Sequence, residues 1–424
     1  MASDSLPGAS KRILVLTPQF PYPPHQGTAL RNYNLLVGLA QNHPIHLLSF
    51  GDPSARPSSP LDDLCSTLRV IATPQRSMGQ RLKGLFLSRL PDMAQRLASD
   101  EFRSALAEML KQIDPDIVEV EGIELAPYLF QVAADSPVGQ RPWLVFDDHN
   151  AEYVLQQRAF ETDIRQPRRW LAAAYSLVQW LRLRGYEKRA CQTADRVVAV
   201  SETDATALRR LVPGLDPAVV PNGVDMDFYT TPVPNLESGP GENDLVFTAK
   251  MDFRPNIDAV QWFVRQVLPL IRAESPQTRF WVVGKDPHPR LAPLAEDPAV
   301  VLTGWVQDVR PYIAAAGVYV IPLRIGGGTR LKVLEAMAMG KAIVSTALGC
   351  EGFDLTSGQE LLVADPPAEF AAAVLSLLRQ PERQRELGQS ARRYAGSQYD
   401  WRHIVPKLAT AFDETQTQRR DNSP

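Results

Sequence analysis

The 424-residue chain contains only three cysteines, Cys65, Cys191 and Cys350. An odd number at such separations makes neither a disulfide framework nor a zinc site, which fits a reducing cytoplasm. Apolar runs are short. None approaches the ~20 residues of a membrane span, and nothing resembling a signal peptide follows the polar start Met1–Ser10. Charge is nearly balanced, at −3, so there is no global attraction to nucleic acid. Neither G-x-x-x-x-G-K-[ST] nor G-x-G-x-x-G follows the first strand, which argues against a P-loop or dehydrogenase reading. No convincing metal box stands out either, and Asp147-Asp148 is not a D-x-D motif. What is present, 44% hydrophobic and 22% charged residues, is ordinary for globular domains, and the length allows two or three.

Short apolar runs and helical patterns alternate twice. Ile13–Leu16, Ile45–Phe50, Asp116–Val120, Trp143–Asp147 and Arg196–Ser201 read as buried strands. A Pro/Gly-rich polar stretch then reads as a linker. The alternation restarts with strands at Leu245–Phe247, Phe280–Val283, Val300–Leu302, Val318–Leu323, Ile343–Ser345 and Glu360–Val363. Ile257–Arg272 reads as one helix, and further helices span about 367–379, 382–395 and 401–416. This pattern predicts an α/β chain with two doubly wound, Rossmann-like domains, 1–228 and 244–400, joined by a linker at 229–243 and facing each other across a cleft. Ligands in such sheets bind outside the carboxyl ends of the strands.

The segment Gly326–Gly340 sits at such an end and opens a helix. Glycines let backbone N–H groups approach a ligand closely, and a helix N-terminus binds phosphate. Arg330 and Lys332 add positive charge there. Glu335 lies further in, placed to accept hydrogen bonds from ribose hydroxyls. The reading is a nucleoside-diphosphate site in which Gly327, Gly328, Thr329, Arg330 and Lys332 hold the phosphates. The competing reading is an ordinary strand-to-helix turn with solvated basic residues.

In the first half, Asp148-His149-Asn150-Ala151-Glu152 ends a strand and faces the predicted cleft. Gly27-Thr28 opens a helix whose backbone can reach a phosphate, with Arg31 assisting. A capped helix start explains Gly27 and Thr28 equally well. Glu121, ending the third strand, is assigned to the acceptor side with Arg31, Asp148 and Asn150.

Several motifs in order resemble retaining glycosyltransferases of the GT-B fold, in the large family 4. They are Val197–Ser201, then Pro221-Asn222-Gly223-Val224-Asp225 with Phe228, Lys250–Asn256, Gly304–Asp308, and Leu334–Thr346 with its Leu-Glu-Ala-Met-Ala-Met-Gly core. The resemblance implies a hexosyltransferase that takes its sugar from a UDP- or GDP-type donor and retains anomeric configuration. It implies a glycan, lipid-linked or small-molecule acceptor, and no cofactor beyond the donor. By the same resemblance His149 lies near the reacting sugar, Lys250 and Arg254 add to the diphosphate site, and Trp305, Val306 and Leu331 join Glu335 around the nucleoside. His149, Arg330 and Lys332 become the catalytic candidates. The closing helix, in 401–424, is expected to cross back to the first domain. One departure stands out. The family usually has two glutamates eight residues apart. Glu335 matches the second, and the first falls at Gly327. The Gly-Gly-Gly-Thr-Arg-Leu-Lys turn resembles a subgroup associated with bacterial exopolysaccharide and surface-glycan pathways.

With no metal box, fixed cations and helix N-termini are left to stabilise a leaving diphosphate. Two further readings stay open: a sugar-nucleotide epimerase or hydrolase on the same architecture, and a non-catalytic sugar-nucleotide or glycan binder. Residues 165–189 carry a basic excess interleaved with Trp170, Tyr175, Trp180 and Leu181. Such a helix suits either a solvated surface or peripheral contact with the cytoplasmic face of the membrane.

Overall fold

The computed structural model describes residues 10–421, apart from 25–26, 136–140, 166, 286 and 327–329, and excludes the side chains of 82, 168 and 414–421. Two compact units emerge, Met1–Pro221 with Ile404–Pro424, and Asn222–His403. Residues 222–243 and 401–403 thus belong to the second unit. The sequence reading had divided them among the first domain, a linker and the closing helix.

The first unit is built on seven strands: β1 Ile13–Thr17, β2 Ile45–Gly51, β3 Thr67–Ala72, β4 Ile117–Glu121, β5 Trp143–Asp148, β6 Arg196–Ala199 and β7 Ala218–Val219. Their order is β3-β2-β1-β4-β5-β6-β7, and every pair is parallel. All residues of β1 and β4 are buried, as a parallel sheet covered by helices on both faces requires. Sequence reading missed β3 and β7. The first is a half-buried edge strand interrupted by Arg69, and the second has only two residues, so neither presents an apolar run.

The helix Trp401–Asp421 returns to this unit from Ile404 onward. Ile404, Leu408, Ala411 and Phe412 are buried. The Lys11 ammonium donates to the Phe412 carbonyl at 3.3 Å and pairs with Asp413 at 2.5 Å. These contacts make the helix part of the first core.

The second unit has strands β8 Leu245–Thr248, β9 Phe280–Val283, β10 Val300–Gly304, β11 Val318–Ile321, β12 Ile343–Ser345 and β13 Leu362–Val363. Their order is β10-β9-β8-β11-β12-β13, again all parallel. The helix expected at 257–272 is three pieces: Arg254–Trp262, a π turn Phe263–Val267, and Leu268–Glu274. Pro269 has no N–H to donate, and the Leu268 N–H bonds five residues back to Phe263, so the register slips there. The helix Pro381–Tyr399 packs behind Leu331–Ala338 at very short range. A Cβ on Gly388 would lie 1.9 Å from the Gly340 carbonyl oxygen, which only glycine allows.

Phe412→Ala is expected to cost about 3–5 kcal/mol. Urea unfolding followed by circular dichroism checks this, and an unchanged midpoint would show that the closing helix is not part of the first unit's core.

Candidate functional site

In the second unit the strand order reverses between neighbours β8 and β11, the place where an open parallel sheet leaves a crevice for ligands. Helix Arg254–Trp262 starts just after β8, and helix Leu331–Ala338 starts after β11. Each presents unsatisfied N–H groups and a positive dipole end at that crevice. A side-chain chain links them. The Lys332 ammonium donates to Asn256 Oδ1 at 3.1 Å, and Asn256 Nδ2 donates to the Lys250 carbonyl at 2.8 Å. Lys332 also lies 4.3 Å from the centroid of the Phe247 ring. Burial, then Arg330, lower its pKa to about 7, against a weaker opposing pull from Glu335. Among the described residues no carboxylate is paired with Lys332, so an anion is the partner that would restore its charge.

Glu335 lies one turn further along the helix. The Tyr229 hydroxyl donates to it, which orients the carboxylate; burial raises the Glu335 pKa against the pull of Tyr229 and Lys332. Tyr229 follows Phe228, whose carbonyl accepts from Arg310 at 2.6 Å and whose ring lies 3.7 Å from the same guanidinium. Arg310 is fixed in turn by Asp308 at 2.7 Å. The loop carrying Trp305 is thereby tied to the carboxylate. Trp305 is 71% exposed, and Gly304 takes the left-handed φ of 69° that turns the chain before it.

The first unit reverses its order between β1 and β4. Gly27 and Thr28 open the helix Gly27–Leu39 after β1, and Glu121 ends β4. Arg31 is 2% exposed. Its guanidinium meets Asp147 Oδ2 at 2.5 and 3.1 Å and the Val220 and Pro221 carbonyls at 3.0 and 3.2 Å. His149 Nε2 lies 2.6 Å from Glu121 Oε2. With its amide turned to suit its neighbours, Asn32 donates to the same oxygen at 3.0 Å. Burial disfavours charge on His149, but the hydrogen bond and charge of Glu121, with Asp147, outweigh it and raise its pKa above 6.5. Glu121, Asp147 and His149 have the spacing of a metal-ligand group. Arg31 pairs with Asp147 and His149 with Glu121, while Asp147 Oδ1 is buried without a hydrogen-bond partner among the described residues.

The structure separates the residues predicted from sequence into different roles. Lys332, Glu335 and Arg330, the residue preceding the second helix, gather at the β8/β11 crevice with Lys250 and Arg254. Lys250 carries its own partner, Asp252, at 3.1 Å. Leu331 and Val306 are half-buried against the core. Gly327, Gly328 and Thr329 lie outside the described residues. Arg31, expected on the acceptor side, is committed to Asp147 and the chain after β7. Asp148, expected there too, is buried beside Glu187, whose oxygens accept the Glu152 and Tyr153 N–H groups at 2.7 and 2.9 Å. Burial pushes Glu187 up to about 7 and Glu152 to about 8, so Asp148 belongs to a buried carboxyl cluster. Asn150 donates to Glu152 at 3.2 Å. Sequence reading missed Tyr229, Asn256 and Arg310 as site residues. Their roles depend on contacts 76 to 106 positions away in the chain for Asn256 and Tyr229, as Lys332 and Glu335 show.

These two sheets, each with its crevice at the switch point, define a GT-B α/β protein. Residues 26–228 match the family model described as Glycosyltransferase Family 4, and residues 242–380 match the one described as Glycosyl transferases group 1. The chain belongs to this glycosyltransferase family. An α-maltose-1-phosphate synthase of Mycolicibacterium smegmatis is 29% identical over 271 residues, 57% of this chain and 67% of that protein. Among solved structures, sucrose-phosphate synthase from Thermosynechococcus elongatus superposes with a TM-score of 0.71 at 18% identity, covering 96% of this chain and 100% of that one. HepE of Anabaena, solved in complex with UDP, gives 0.63 at 16% identity over 95% and 100%.

Glu121→Gln is expected to lower the pKa of His149, because the imidazolium loses its nearest anion. NMR titration of the His149 ring protons reads this directly. An unshifted titration would remove Glu121 as the group that holds the charge.

Proposed function

We propose that the protein transfers a hexosyl group from a nucleoside-diphosphate sugar to a glycan, lipid-linked or small-molecule acceptor in the cytoplasm, with retention of anomeric configuration. The observation that carries this reading is the pair of helix N-termini at the β8/β11 crevice, bridged by Lys332 and Asn256, with Glu335 held one turn away by Tyr229. Two dipole ends and an under-protonated lysine suit a diphosphate, and an oriented carboxylate suits ribose hydroxyls. Trp305 offers an exposed aromatic face to the base. The complex of HepE with UDP supports the same donor class.

In the transfer, the bond between the anomeric carbon and the β-phosphate oxygen breaks. The acceptor oxygen bonds to that carbon on the same face, and its proton passes to the departing phosphate. Lys332, Arg330 and the helix N-termini meet the charge that grows on the diphosphate. His149, whose hold on a proton Glu121 strengthens, is assigned a hydrogen bond to the sugar. No metal is assigned to these steps.

Calorimetry with UDP, GDP, ADP and dTDP, with and without magnesium, tests the donor site. One diphosphate should bind selectively, and Glu335→Ala should weaken it by about 1.5–3 kcal/mol, roughly 10- to 150-fold. Absence of binding by all four would sink the reading. If a diphosphate binds but no acceptor in a broad panel is glycosylated, the binder reading takes its place. Release of free sugar or an epimer without acceptor would instead support a hydrolase or epimerase.

Lys332 gives a pH signature. Its pKa of about 7 is depressed below the unfolded value of 10.5, so it is largely neutral in the free protein above pH 7. Diphosphate binding favours the charged form and must take up a proton there. Affinity should be level below pH 7 and fall by up to about tenfold per pH unit above it. Calorimetry in buffers of different ionisation enthalpy measures the uptake, and Lys332→Met should abolish it.

A further inference from the structure

Among the described residues, fourteen large apolar side chains are exposed, and ten of them fall in two segments, 78–90 and 164–181. The segments are joined. Arg182 donates to the Leu85 carbonyl at 2.7 Å, and the Asp92 N–H donates to Gln179 at 2.8 Å. In the helix Trp170–Thr193, Trp170, Leu171, Tyr175, Val178 and Leu181 share the outward face, while Ala173, Ser176, Gln179 and Leu183 are buried on the other. Leu171 is 91% exposed and Phe86, in the helix Met78–Leu87, is 79% exposed. Trp180 turns away from this face and stacks on Phe160 at 6.1 Å.

The charge around this face is mostly positive; Asp92, near Tyr175, is paired with Arg76 at 2.9 Å. Exposed cations include Arg81, Lys83, Arg89, Arg165, Arg184 and Lys188. Segment 76–91 contains no acidic residue, and 164–189 contains only Glu187, which is fully buried. The chain as a whole carries −3, so this is a local concentration of positive charge. A contiguous apolar face of this kind marks an interaction site. A cationic rim with outward Trp and Tyr fits an anionic lipid surface, with the apolar side chains in the acyl boundary. A second copy would set like charges against each other. No helix among the described residues is long and apolar enough to cross a membrane.

We propose that the helices Met78–Leu87 and Trp170–Thr193 together form a docking surface for anionic membranes. This does not depend on the sugar-transfer reading. The test is co-sedimentation of the full chain with mixed phosphatidylcholine–phosphatidylglycerol vesicles and with pure phosphatidylcholine vesicles, at low and high salt. Binding is expected to the mixed vesicles only and to weaken with salt. The double variant Phe86→Ser/Leu171→Ser should reduce it at least ~10-fold, with an unchanged melting temperature because both side chains are exposed. Lys83→Gln/Arg165→Gln should weaken binding at low salt and flatten the loss with salt. No binding to either vesicle overturns the proposal, as does equal binding to both. So does a dimer in solution that the serine variants dissociate, since a second copy would then cover the face.

Discussion

An all-parallel sheet places every strand's carboxyl end on one edge, and every following helix begins at that edge. That constraint organises both units. Where strand order reverses, two connections leave in opposite directions and no helix closes over the gap. In the second unit the gap lies between β8 and β11, and in the first between β1 and β4. Charged groups fall there because backbone donors and dipoles at the helix starts favour anions, while strand-end carboxylates need nearby cations.

The two units meet this demand in different ways. The first pairs its opposite charges internally: Arg31 with Asp147, fully buried, and His149 with Glu121. Removing one member of such a pair leaves an uncompensated buried charge, so these pairs fix geometry more than they add stability. The second is under-compensated, with a lysine whose charge burial suppresses and whose carboxylate neighbour is oriented by a tyrosine. An incompletely balanced site is what a charged ligand can complete, whereas a balanced one serves to position its members.

The departure at Gly327 acquires a physical context. Where the family usually has a glutamate, this chain has a glycine, so the Gly-Gly-Gly-Thr sequence before Arg330 supplies no carboxylate. The β8 side supplies Asn256 instead, a neutral acceptor that holds Lys332 in place without cancelling its charge.

The strands at the centre of both sheets were legible because burial on both faces demands continuous apolar runs. The edge strand Thr67–Ala72 was not, because a half-exposed strand can carry Arg69 without penalty. The motifs around Glu335 and Lys332 were legible because their spacing along one helix fixes which end they share. The partners of Arg31 and Asp148 were not legible, because sequence placed them at the edge of the sheet without showing which buried groups they meet. Composition and local pattern determined the alternating α/β architecture, the two helix N-termini and the residue types at the crevice. Only the tertiary structure decided which charges neutralise one another, since that depends on contacts between residues far apart in the chain. It brought Arg31 to Asp147, 116 positions away, and Lys332 to Asn256, 76 positions away.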